Sequence, residues 1–112
     1  MSAQKSAAKF IVVLIDCGSE DDEQRMAQSL VRERLAGCVN VVPGVSSYFS
    51  WQGELRVESE CLVIVKTMTE LLPELRQRIA ELHAYEIPEI IALPVAAGSE
   101  GYLRWLEEAV GS

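Results

Sequence analysis

Two β-rich runs, CVNVVPGVSSYFSW (38–51) and ELRVESECLVIVKT (54–67), are separated only by Gln52-Gly53. A two-residue connection ending in glycine is the chemistry of a tight hairpin turn, so the runs are expected to pair as antiparallel arms. At ~3.3 Å per residue each arm reaches about 40 Å, roughly twice an ordinary strand. A domain of about 100 residues has a radius of gyration near 13 Å, so the hairpin tip should project beyond the body. Pro43-Gly44 interrupts the first arm. Proline has no amide hydrogen to give a ladder and glycine often marks a bulge, so a bend is expected there.

The remaining segments supply the partners for this hairpin. KFIVVLID (9–16) is a continuous β-branched run of strand length, expected to be buried on both faces. Ser19 followed by Glu20, Asp21, Asp22 and Glu23 has the form of an N-cap with acidic residues at the positive end of a helix dipole. The inward stripe of that helix is Met26, Ala27, Leu30, Val31 and Leu35, and Gly37 is expected as its left-handed C-cap. TELLPELRQRIAELH (69–83) carries Leu72, Leu75, Ile79 and Leu82 at helical spacing, with Thr69 as a cap and Pro73 in the first turn. EIIALPVAAG (89–98) is a short apolar strand, after which Ser99 caps a last helix bearing Tyr102, Leu103, Leu106 and Val110.

With right-handed crossovers, the order βαββαβ plus a terminal helix specifies an α+β, ferredoxin-like sandwich. Its antiparallel sheet should run in the strand order 4-1-3-2, with two helices on one face. At 112 residues the chain has room for one core. A single domain is expected over 10–112, and residues 1–9, small and polar, are expected to be a frayed, disordered tail.

Composition narrows the function classes. The chain is 49% apolar and 24% charged, and no apolar run approaches the roughly 18 residues of a membrane span. A net charge of −7 repels phosphate backbones and anionic lipid and draws in cations, which argues against nucleic acid and membranes as partners. Cys17, Cys38 and Cys61 are odd in number and far apart in sequence, offering neither a CxxC motif nor a disulfide framework. Reduced thiols in a cytoplasm fit this pattern, with Cys38 and Cys61 packed in the core.

Helices cover one face of such a sheet, yet FIVVLI, CLVIV and IIALPV carry apolar side chains on both. At about 25 cal/mol per Å2, several hundred Å2 left wet would forfeit roughly 10 kcal/mol, as much as the whole stability of a small domain. Self-association is the expected remedy, with the hairpin edge available to a neighbour.

HAYEIPEI (83–90) concentrates the polar chemistry: the only histidine, a tyrosine, two glutamates and a proline. In one reading His83 merely satisfies the C-terminus of the second helix. In the other, its imidazole joins carboxylates from Glu86 or Glu89, and the Cys17 sulfur, in a mixed-ligand copper or zinc site. One histidine with flexible carboxylates implies weak, exchangeable metal and no obligatory cofactor. Tyr85 and Pro88 are expected to shape the turn and line a cleft between subunits, and Trp51 to enter a neighbour's pocket. Catalysis by a Cys17–His83 pair is disfavoured, since no orienting acid or oxyanion motif accompanies it, and the protein is expected not to be an enzyme.

ERLAGCVNVVPGVSSYFSWQGEL, LVIVKT, ELHAYEIPEIIALPV and GYLRWL resemble the CutA divalent-cation tolerance family across residues 10 to 110. The matching blocks are CVN-PG, the W-x-G tip at Trp51 and Gly53, and H-x-Y-E-x-P-E at His83, Tyr85, Glu86, Pro88 and Glu89. The resemblance implies a tight homotrimer similar in plan to the nitrogen-regulatory PII proteins, with a role in tolerance of copper and other divalent metals and no attached catalytic activity. It leaves open a second role, a PII-like regulatory module that binds a small ligand or protein partner in its clefts. Two positions depart from the family pattern. Ala84 stands where a proline usually follows the histidine, and Ile15 where some copper-binding relatives have cysteine, with Cys17 two positions further on. A two-residue step keeps the same side of a strand but moves a ligand by about 6.5 Å.

Overall fold

Phe10–Cys17, the β-branched run, lies in the middle of the sheet and holds the other elements in place. A computed structural model of the chain describes residues 4–6, 9–17, 20–82 and 89–110. The elements in chain order are β1 (Gln4–Ser6), β2 (Phe10–Cys17), α1 (Glu20–Arg32), β3 (Cys38–Trp51), β4 (Glu54–Met68), a 3-10 turn (Thr69–Leu71), α2 (Leu72–Leu82), β5 (Glu89–Pro94), β6 (Ala97–Ser99) and α3 (Glu100–Ala109). The main sheet is antiparallel in the order β3-β4-β2-β5. That is the expected ferredoxin-like arrangement.

The hairpin follows its local chemistry. Gln52 and Gly53 both adopt positive φ, 52° and 80°, as a type I′ turn requires. The register slips between Val42 and Val45, where Gly44 takes a φ of 72°, so the Pro43-Gly44 bend is a bulge. Beyond it the arms leave the body, which gives the molecule dimensions of 52 × 27 × 22 Å and a radius of gyration of 15.3 Å.

The helix-covered face of the sheet presents Ile11, Val13 and Ile15 from β2 and Val63 and Val65 from β4. These pack with Met26, Leu30, Leu35 and Ala36 and, from α2, Leu75 and Ile79. Within the inward stripe expected for α1, Val31 departs by being 44% exposed. The helix also stops earlier than expected, at Arg32. Leu35 N donates to Leu30 O (3.0 Å) and Arg34 N to Val31 O (3.1 Å), the two bonds of a Schellman cap, and Arg34 itself takes the left-handed φ of 62°. Gly37 therefore has a different job from the C-cap expected of it. A Cβ there would overlap Leu106 Cδ1 and meet Ala109 Cβ at 3.5 Å, so the missing side chain lets α3 pack against the entry to β3.

A second cluster joins Phe10 and Met68, which are Cα partners, to Leu103, Leu106 and Val110 of α3. By alternation these two strand residues belong to the opposite face of the sheet, so α3 covers one end of that face. Three details depart from sequence expectation. Gln4–Ser6, within the expected tail, pairs with Ala97–Ser99 in a small second sheet. Thr69 begins a 3-10 turn that has no side-chain cap, and its N–H bonds Lys9 O at 2.8 Å. Ser99 occupies the N-cap position of α3 without a side-chain capping bond. The Ser19 cap lies outside the described residues.

Candidate functional site

The face that α3 leaves open can be read from the register as three rungs. They are Leu93–Val12–Lys66–Cys38, Ile91–Leu14–Ile64–Asn40 and Glu89–Asp16–Leu62–Val42. Ile91 is 58% exposed and Leu93 47%, although both stand in strands of a four-stranded sheet. Seven of these positions are aliphatic, Cys38, Asn40 and Lys66 lie on the β3 and β4 side, and the rung at one end holds Asp16 and Glu89. Cys38 is only half-buried here, with Sγ 3.9 Å from Asn40 Oδ1, and so departs from the core role expected of it. Cys61 is buried under the helices as expected.

The acidic rung is the rim of the site. Asp16, next to last in β2, is the Cα partner of Glu89, the first residue of β5. Like charges at directly opposed positions repel, which is tolerated where a cation or donor neutralises them. Element order alone sets the exit of the first long strand, Asp16 and Cys17, beside the entry of the last at Glu89; the β2–β5 register adds that Asp16, not named among the candidate ligands, is the residue opposite Glu89.

The next rung is Cys17–Cys61. The segment 83–88 connects Leu82, which packs on the main core, to Glu89 at the rim. His83, Tyr85, Glu86 and Pro88 belong to that segment and lie outside the described residues. Among the described residues no group of three or more His, Cys, Asp and Glu side chains could hold a metal ion.

Trp51 sits at the far end of the hairpin, opposite Glu54, and is 56% exposed. Tyr48, Leu55 and Val57 share the other face of the same arms and are also exposed. The projecting hairpin is thus apolar on a surface the chain itself does not cover.

A second charged feature ties the two long helices together. Arg78 of α2 grips Glu33 with Nε at 2.8 Å from Oε1 and Nη2 at 2.9 Å from Oε2, and also reaches Glu81. These hydrogen bonds hold the Glu33 carboxyl below the usual glutamate range and raise the guanidinium of Arg78. Arg34 Nη2 donates to the Glu108 carbonyl at 2.9 Å, bonding one of the last carbonyls of α3.

Comparison with known proteins decides the family. The model of the CutA1 divalent ion tolerance protein family matches residues 11–109. The chain belongs to this family. A CutA relative, the divalent-cation tolerance protein of Thermus thermophilus, is 50% identical over 100 residues, covering 89% of this chain and 97% of its own. The chloroplastic CutA of Arabidopsis thaliana is 38% identical over 97% of this chain, which spans 60% of that longer protein. Among solved CutA structures, the Thermus protein superposes with a TM-score of 0.85 at 49% identity over 91% of this chain and 99% of its own. The Synechococcus elongatus protein gives 0.89 at 32% identity over 98% and 97%. Another structure of that protein, complexed with a Bis-Tris molecule, gives 0.87 at 30% identity over 96% and 99%. No helix among the described residues is long and apolar enough to cross a membrane.

Proposed function

We propose that this CutA protein is a cytoplasmic homotrimer that binds copper or another divalent metal weakly and acts in metal homeostasis. The observation that carries the metal assignment is the acidic rung Asp16–Glu89, to which the chain attaches His83 and Glu86 through the six-residue connection from α2. Oxygen and imidazole donors suit zinc and copper(II), and a net charge of −7 favours cation capture. Metal is cargo here, and the residues that would hold it are His83, Glu86 and Glu89, with Asp16 as a further carboxylate. Cys17, next to Asp16 at the end of β2, completes the expected ligand set.

The trimer is supported by the open face. Covering seven aliphatic side chains that are half-buried or exposed is worth on the order of 1 kcal/mol each. Copies packed face to face supply that cover, and the exposed apolar hairpin reaches toward a neighbour. The cytoplasm is proposed from the reduced-thiol reading of the cysteines.

Calorimetric titration of Cu2+ and Zn2+ into wild type, His83→Ala, Glu89→Gln and Asp16→Asn tests the metal site. Weaker binding in all three variants is expected, and isotherms identical to wild type would remove the rim from the account. A second reading, a PII-like regulatory trimer with a small ligand or protein partner in its clefts, is favoured by the Bis-Tris complex of the Synechococcus relative. A thermal-shift screen of metabolites against metals separates the two.

A further inference from the structure

Lys66 is the single cation in the three rungs of the open face, flanked by Val12 and Cys38 and followed along β4 by Ile64 and Leu62. It is half-buried, and its side chain makes no ion pair or hydrogen bond with any described residue. The acidic rung of its own chain stands level with Leu62, four residues along β4 and so about 13 Å off. A copy of the chain that covers this face also covers Lys66, and an ammonium taken from water without a partner is strongly destabilising. The covering copy therefore has to bring a carboxylate. Those of α1 and α2 lie across the sheet, and on α3 Glu100 and Glu107 are held by Arg104 and Lys9. The hairpin has others. β4 runs unbroken from the sheet into the hairpin, so Glu60, Glu58, Arg56 and Glu54 continue the side that carries Lys66. In β3 the bulge at Pro43-Gly44 adds one residue, which turns Val45, Ser47, Phe49 and Trp51 to that same side. The open side of the hairpin is thus an acidic arm beside an uncharged, largely apolar one. Glu58 and Glu60, like Lys66, have no ion pair among the described residues.

We propose that the hairpin of one copy lies across the open face of the next and sets Glu58 and Glu60 at that copy's Lys66. The proposal rests on self-association of the open face and names the charged contact that directs it. The cation and its carboxylates are separate patches of one chain, so the contact runs head to tail. Contacts of this kind close into rings, and three copies make the ring of the trimer. The same docking lays the uncharged arm, with Phe49 and Trp51, on the aliphatic rungs. Apolar burial supplies most of the affinity, while the ion pair fixes which stretch of hairpin meets which rung. It also explains why one lysine stands on a face otherwise suited to dry packing.

The test measures subunit dissociation of the full chain by sedimentation across a urea series. Four proteins are compared: wild type, Lys66→Met, the pair Glu58→Gln with Glu60→Gln, and all three changes together. Methionine keeps position 66 apolar and needs no counter-charge. In the wild-type background the two glutamines should weaken assembly about thirtyfold or more, because Lys66 is then covered without a carboxylate. In the Lys66→Met background they should weaken it less than about threefold. Charge reversal gives a second readout: Lys66→Glu, and separately Glu58→Lys with Glu60→Lys, should each weaken assembly, and the chain carrying all three reversals should regain it. If a reversed chain fails to fold, the near-isosteric glutamine and methionine cycle decides alone. A wild-type trimer that the glutamines leave unchanged, or weaken equally in both backgrounds, would overturn the ion pair and leave the trimer standing. A wild-type monomer would overturn both.

Discussion

Gly37→Ala measures how tightly α3 is docked. On a free backbone this change stabilises by about 0.4–1 kcal/mol, because alanine has less freedom to lose on folding, and the φ of Gly37 is not in the left-handed region that would forbid it. Here the new methyl overlaps Leu106 Cδ1, and Leu106 is 2% exposed among Phe10, Met68, Leu103 and Val110. The leucine cannot swing aside without displacing those neighbours, and overpacking of that kind costs about 1–3 kcal/mol. A net loss of about 1–2 kcal/mol is expected from the difference. The assay is urea denaturation at fixed protein concentration, run as a double-mutant cycle with Leu106→Ala. That variant alone should lose about 2–5 kcal/mol, and the pair should lose at least ~1 kcal/mol less than the sum, since the truncated leucine makes room. A neutral or stabilising Gly37→Ala, or strict additivity with Leu106→Ala, would refute the close approach.

Two further outcomes are expected elsewhere. Glu33, whose carboxyl is held low first by its hydrogen bonds from Arg78, has a folded pKa below its unfolded value. Its stabilising contribution is therefore complete above the unfolded pKa and is lost as pH falls through the folded one, and NMR titration should show the Glu33 midpoint rising to the ordinary glutamate value in Arg78→Ala. Arg34→Gly relieves a left-handed φ at the end of α1 but deletes the bond to Glu108 O, so it should change stability by under about 1 kcal/mol, whereas Arg34→Ala, which keeps the strain and loses the bond, should be the less stable of the two by thermal melt.

How much of this could be read from residues alone depended on how local the cause was. The hairpin, its bulge and its projection were legible because Gln52-Gly53 and Pro43-Gly44 act within four residues. The strand order followed from element order and crossover handedness. The end of α1 was not legible, because the pull comes from Leu35 and Ala36 entering the core rather than from a glycine signal. The β1–β6 pair was missed since QKS and AGS carry no apolar period, and it exists only because the fold brings the two segments side by side. The site was legible in part. HAYEIPEI marked the chemistry, and the strand order set the exit of β2 beside the entry of β5, but the residue-by-residue pairing of Asp16 with Glu89 depends on register between strands far apart in sequence, which no local pattern encodes.

The claim that most of the functional account rests on is that an apolar sheet face, left bare by α1 and α2 and capped only at one end by α3, is closed by copies of the same chain. Sedimentation equilibrium of the intact protein at micromolar concentration tests it directly. A single species of three times the 12.4 kDa chain mass is expected. A stable species of one chain mass would contradict it.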